Sequence, residues 1–335
     1  MGHEEVIRRM TEESRRAEFR GAESIKLNSQ GHIICAIWNR IHWAPETETY
    51  HEFIVGLLKQ SLGRNWKAEQ DRLPADRQHV IMKWIVAWYA LATANKPANH
   101  KMGEVFSAEP TGETQELIAL AHDVYRLQLV RKLPPKLMNR LRHRDGFQGA
   151  RYEIAVASAF VRCGFEIEWL KNTEKKHCEF VATHKTTRER IAVEAKSRHR
   201  KGVLHESGMP ASDTLADVEG LYDDALTHNP GSMPFAVFIE VNLPHEPDRQ
   251  GLEKVWIQQV KEMMCRRPTP NAHEPDLCSL RGFTNFGWHY RGVQQATAPH
   301  EFVLAWSLHA RYPVSQQIFI ALRESFNGYG KAEDY

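Results

Sequence analysis

A chain of 335 residues is long enough for two folded domains at roughly 100–200 residues each. Hydrophobic residues at 42% and charged residues at 26% are ordinary for globular proteins and exclude a wholly disordered or fibrous chain. With 44 basic against 42 acidic residues the net charge of +2 points to no partner, and five cysteines without a C-x-x-C pair predict a reduced, cytoplasmic protein rather than a disulfide scaffold.

The opening segment, MGHEEVIRRMTEESRRAEFR, is dense in charge from Glu4 onward, so no secretory signal is expected there. Helical periodicity is read over 4–20, 33–41, 50–62, 79–94 and 114–133. In the last of these Leu117, Leu120, Ala121, Val124 and Leu127 form one apolar stripe. The run HVIMKWIVAWYALATA at 79–94 is interrupted by Lys83 and is shorter than the roughly 18–20 residues of a membrane span, so it reads as a buried helix and no membrane association is expected. Breaks fall at 95–101, at 110–112 and at Pro134–Pro135. Trp38, Trp43, Trp66, Trp84 and Trp88 all precede the last break and read as core packing, with an exposed grip on a partner or DNA end as the other option. Residues 1–140 are therefore expected to form an all-α domain for target recognition or assembly, the natural place for a homo-oligomer contact or a larger complex.

Beyond Pro135 the pattern becomes mixed. A helix over 147–162 stops before Gly164, and strands follow at 165–170, 179–183 and 190–196. A helix over 214–226 opens on Thr214-x-x-Asp217, which resembles a capping box. A strand at 235–241, a helix at 252–265 and strands at 302–308 and 317–322 complete the reading. The fold class predicted for 141–335 is α/β, a mixed sheet flanked by helices.

The informative residues lie in RIAVEAKSRHR, 190–200. Strand alternation puts Ala192, Glu194 and Lys196 on one face. In a sheet covered on both sides these charges cost several kcal/mol per ion unless paired or bound to a metal. Glu153 sits on the apolar stripe of the 147–162 helix, with Ala150, Val156, Ala157 and Phe160. Glu179 opens its strand fifteen positions before Glu194, the spacing of neighbouring strands joined by a turn. Three carboxylates and a lysine meeting over a sheet point to phosphodiester hydrolysis assisted by Mg²⁺ or Mn²⁺, the ions that hard oxygen ligands select. A solvated, exposed Glu194–Lys196 ion pair is the bland alternative.

These residues resemble the restriction-endonuclease-like superfamily, the PD-(D/E)XK nucleases, over about 146–241. The resemblance rests on Glu153 in the leading helix, Cys178-Glu179 opening the second strand and Glu194-Ala195-Lys196 in the third. It implies an α-β-β-β-α-β core, metal ligation by Glu179, Glu194 and the Ala195 main-chain carbonyl, Lys196 as catalytic lysine, and Glu153 as a helix-borne acid holding metal or water. Two features depart from the family pattern: Cys178-Glu179 replaces Pro-Asp, and no Gln-x-x-x-Tyr follows on the next helix.

Local charge supports a polyanionic partner. The run 131–144 carries Arg140, Arg142 and Arg144 among its cations without an acid before Asp145, and Arg198, Arg200 and Lys201 follow Lys196. The expectation is a metal-dependent nuclease, endo- or exonucleolytic, acting on DNA in preference to RNA. The kind of family suggests anti-phage defence or restriction. The alternative is a nuclease fold without turnover, kept as a nucleic-acid-binding or scaffold module. The acidic run 213–224 reads as a solvated helix face, with an extra metal ligand as the lesser alternative. Glu240 is a lesser candidate inside an apolar strand. Cys265, His273, Cys278 and His289 match no zinc spacing, and His177-Cys178 would point to opposite faces of a strand.

Overall fold

The computed structural model describes residues 25–37, 40–101, 104–170, 177–205, 208–209, 214–246, 248–249, 251–296 and 301–328. The helix expected over 4–20, Trp38 and Asp213 lie outside them.

The first described unit is a three-stranded antiparallel sheet, β1 (Ile25–Ser29), β2 (His32–Ile37) and β3 (Arg40–Pro45), in that order. The helix expected over 33–41 is thus corrected to strand, and the N-terminal part is not all-α. The signal was in the turn: Gln30 and Gly31 have φ of 50° and 73°, and Ser29 pairs with His32 across them. Two left-handed residues between extended segments make a hairpin whose twist matches its strands. Trp43, read as core, is 66% exposed, whereas Trp66 and Trp84 are buried and Trp88 is half-buried.

Helices follow: α1 (Tyr50–Leu62), α2 (Arg64–Asp71), α3 (Val80–Asn95), α4 (Gly112–Leu129) and α5 (Pro135–Arg142). Thr49 and Glu52 cap α1 reciprocally, and the His79 side chain accepts from Ile81 N–H at the start of α3. Next comes α6 (Phe147–Arg162), buried on almost every side, with Gly164 at φ 89° just past its end. A six-stranded sheet takes its strands in chain order: β4 (Phe165–Trp169), β5 (Phe180–His184), β6 (Arg190–Ser197), β7 (Phe235–Glu240), β8 (Leu280–Asn285) and β9 (Glu301–Trp306). The β4–β5–β6 part is antiparallel, β6–β7–β8 is parallel, and β9 returns antiparallel. The parallel crossovers run through α7 (Ala216–Leu226) and α8 (Val255–Cys265).

One sheet face, with Phe180, Val193, Ala195 and Phe238, packs under α6 in a core that runs on through Leu117 and Leu120 of α4 to Ile54 and Cys35. The other face, with Ala192, Val237 and Ile239, is covered by Val218 and Tyr222 of α7 and Trp256 and Val260 of α8. The strand expected at 317–322 is instead the middle of α9 (Gln316–Asn327), capped by Ser315 and buried through Ile318, Ala321, Leu322, Ser325 and Phe326. Ile318, Ala321 and Leu322 already stand at three-four spacing, and Ser325 and Phe326 continue it by another turn. No side chain caps the start of α7, so the capping box expected at Thr214 does not form. Among the described residues no helix is long and apolar enough to cross a membrane.

Candidate active site

Alternation along β6 sends Glu194 and Lys196 to the α7 side of the sheet, as the sequence requires once Val193 and Ala195 face α6. Glu194 is fully buried. Lys196 Nζ stands 3.0 Å from Glu194 Oε1 and 3.0 Å from Asp224 Oδ2 at the end of α7. His228, just past that helix, donates its Nδ1–H to the same Glu194 Oε1 at 2.9 Å. One carboxylate oxygen is therefore held twice, while Glu194 Oε2 is buried without a hydrogen-bond partner. Asp224 and His228 were missed in the sequence: Asp224 sits in an acidic run whose described members, itself included, are exposed.

Glu179 immediately precedes β5. The register pairs Val193 with Phe180, yet the Glu179 N–H also donates to the Val193 carbonyl at 3.0 Å, so two residues face one. This bulge breaks the alternation and lets Cys178 join Ala192 in the core on the α7 side. The Glu179 carboxylate makes no hydrogen bond or ion pair among the described residues. Burial and the nearby Glu153 charge push its pKa up to about 7. Burial and the Glu179 charge push Glu194 to about 8, against the pull of Lys196. For Lys196 burial acts downward, but Glu194 and Asp224 outweigh it and the ammonium is stabilised. Mutual effects of this kind tie Glu153, Glu179, Glu194 and Lys196 into one electrostatic cluster.

Glu153 reaches this cluster from α6, across the sheet edge, but its carboxylate is committed. Arg140 of α5 grips it with two parallel bonds, Nη1 to Oε2 and Nη2 to Oε1, both 2.7 Å. Burial raises the Glu153 pKa, and Arg140 offsets part of that rise. The expected trio of open carboxylates thus becomes two, Glu179 and Glu194, with the Ala195 main chain between the site and β7. Among the described residues no three His, Cys, Asp or Glu side chains stand together as a metal-binding group. The two open carboxylates still suit a hard divalent ion, since one buried oxygen lacks any partner and both groups resist ionisation unless a cation arrives.

Other candidates resolve into structural roles. Arg198 and Arg200 are buried: Arg198 binds Asp217 and the Thr214 carbonyl, and Arg200 binds Tyr290 Oη and the Asn242 carbonyl. They present no cation to a phosphate backbone, which corrects the expectation for that run, whereas Lys201 is exposed. Arg142 holds the Ser61 carbonyl, and exposed Arg144 leans on His205. Glu240 accepts from Thr284 Oγ1 and Phe286 N–H inside the core, with burial raising its pKa to about 7. Cys265 is exposed, Cys278 is buried, and His289 is bonded to Glu116, so no zinc site gathers. His177 binds its neighbour's carbonyl through Nδ1. Comparison of the chain with family models, with curated proteins and with solved structures finds no match.

Proposed function

We propose that this chain is a divalent-metal-dependent phosphodiesterase acting on DNA, built on a restriction-endonuclease-like core. The observation that carries the reading is Glu194: wholly buried, fixed at one oxygen by Lys196 and His228, open at the other, and next to an equally open Glu179. The order α6–β4–β5–β6–α7–β7 also supports it, being the α-β-β-β-α-β succession that the resemblance implies.

Glu179, Glu194 and the Ala195 carbonyl would hold Mg²⁺ or Mn²⁺, which supplies Lewis-acid polarisation of a phosphate oxygen and a lower pKa for water. Lys196 works as an ammonium. Its partners keep it protonated at neutral pH, so it orients a nucleophile and stabilises anionic charge rather than removing a proton. Asp224 sets the height of Lys196 and His228 sets the rotamer of Glu194. A role in anti-phage defence or restriction belongs to this proposal through the resemblance alone.

One observation favours a second reading, a nuclease fold retained for nucleic-acid binding without turnover. Glu153 is spent on Arg140, which leaves one acid fewer than the resemblance implies. Incubation of the purified protein with supercoiled plasmid, and in parallel with RNA, in Mg²⁺, Mn²⁺ or EDTA separates the two. Ion-dependent nicking of DNA that disappears in Glu194→Ala and Lys196→Ala is expected. Cleavage persisting in those variants would falsify the site. Salt-sensitive DNA binding without cleavage in any ion would leave the scaffold.

A further inference from the structure

We propose that Arg140 is the substrate-phosphate contact of this site, and that Glu153 and Gly149 position it rather than serving the metal. The inference rests on the phosphodiesterase reading above and assigns a different partner to the α6 acid. A guanidinium offers five N–H donors in a rigid fork. Two of Arg140's are taken by Glu153, and the remainder find no protein acceptor among the described residues. The Arg140 side chain is 40% exposed while that of Glu153 is 6% exposed, so the buried carboxylate acts as a base plate and the open edge of the fork faces outward. Arg140 also lies within electrostatic range of the Glu179 carboxylate. A planar fork fixed in this way beside a cation site matches the two free oxygens of a phosphodiester.

Gly149 makes the arrangement possible. It lies one helical turn before Glu153, and a Cβ there would stand 3.0 Å from Arg140 Nη2, 3.7 Å from Glu153 Oε1 and 3.9 Å from His199 Nε2. The absence of a side chain lets the guanidinium lie against the α6 backbone. Alanine at this position would make the guanidinium give way by a few tenths of an ångström while leaving both charges in the chain.

The test measures two things in the full chain. The first is anisotropy of a labelled DNA duplex in Ca²⁺ across a salt series. The second is calorimetric titration with Mn²⁺ alone. Arg140→Ala is expected to weaken DNA binding about tenfold and to lower the salt slope by about one unit, the signature of one lost phosphate contact. Mn²⁺ binding is expected to persist in Arg140→Ala and Glu153→Gln, with any change in affinity coming from the altered charge beside Glu179 and not from a lost ligand. Gly149→Ala is expected to weaken DNA binding in a chain that still folds, the better helix propensity of alanine offsetting part of the weakened Glu153 pairing. That variant keeps the test decisive if Arg140→Ala fails to fold. Wild-type DNA affinity and salt slope in both Arg140→Ala and Gly149→Ala would overturn the inference, as would loss of Mn²⁺ binding in Glu153→Gln. A wild-type protein that binds neither Mn²⁺ nor DNA would instead refute the phosphodiesterase reading itself.

Discussion

Glu179 and Glu194 carry the site's chemistry in their proton affinities. Both are shifted upward, to about 7 and about 8, by burial first and by a neighbouring carboxylate second. Protons and a divalent cation compete for the same oxygens. Mn²⁺ affinity is therefore expected to rise with pH through this range and to level off above about 8. Stability without ions should move the opposite way. Each carboxyl binds its proton more tightly in the folded chain than at its ordinary value of 4.5, so the folded state holds the extra protons between that value and the raised one. Folding stability is then greatest below 4.5 as far as these two groups are concerned, falls as pH rises, and flattens above about 8. Thermal melts in EDTA and in Mn²⁺ across that window check both signs. Pairing by Lys196 strong enough to keep Glu194 ionised throughout would give a flat Mn²⁺ profile.

At the scale of elements, the junction of α4 with α6 depends on one buried charge. Glu116, fully buried on α4, pairs with Arg151 of α6 and accepts from His289 Nδ1 and N–H. Burial alone would raise the Glu116 pKa, but Arg151 and His289 outweigh it and the carboxylate stays ionised. Glu116→Gln removes the carboxylate partner of the buried Arg151 guanidinium, at a cost of about 3–5 kcal/mol. Urea denaturation is expected to show a loss of that size. Glu116→Gln with Arg151→Met should recover most of it, because the double variant leaves no uncompensated ion. Equal losses in the single and double variants would place the energy in packing instead. The strand β8 illustrates how an element hides: Gly282 in its middle lowers strand propensity, and only the Phe238 ring, 2.3 Å from where a Cβ would stand, explains the glycine.

Over the whole molecule, the buried cluster beneath α6 crosses residue 140 without a gap, from Ile54 and Leu58 through Leu117 and Leu120 to Phe160 and Phe238. A shared core of this kind couples the unfolding of its parts. Differential scanning calorimetry is expected to give one transition whose calorimetric and van't Hoff enthalpies agree. Two resolved transitions would show that the N-terminal helices melt apart from the sheet. The same continuity explains the position of Arg140: α5 bridges the helices and the sheet, so a basic residue at the expected boundary near 140 meets an acid of the helix that follows.

Much of this was readable from local pattern. Helices α1 and α6 follow the apolar spacing at their observed bounds, and alternation along β6 placed Glu194 and Lys196 on one face, because periodicity of 3.6 or 2 is a property of neighbouring residues. The hairpin β1–β2 and the helix α9 were misread although the Gln30–Gly31 turn and the three-four apolar spacing are both present in the residues. Which charge pairs with which was decided only by the tertiary structure. The bulge at Glu179, the capture of Glu153 by Arg140, the arrival of Asp224 at Lys196 and that of His228 at Glu194 join residues from 13 to 34 positions apart. Coulombic and hydrogen-bond energies depend on distances in space, and no order along the chain encodes those distances until the core has closed.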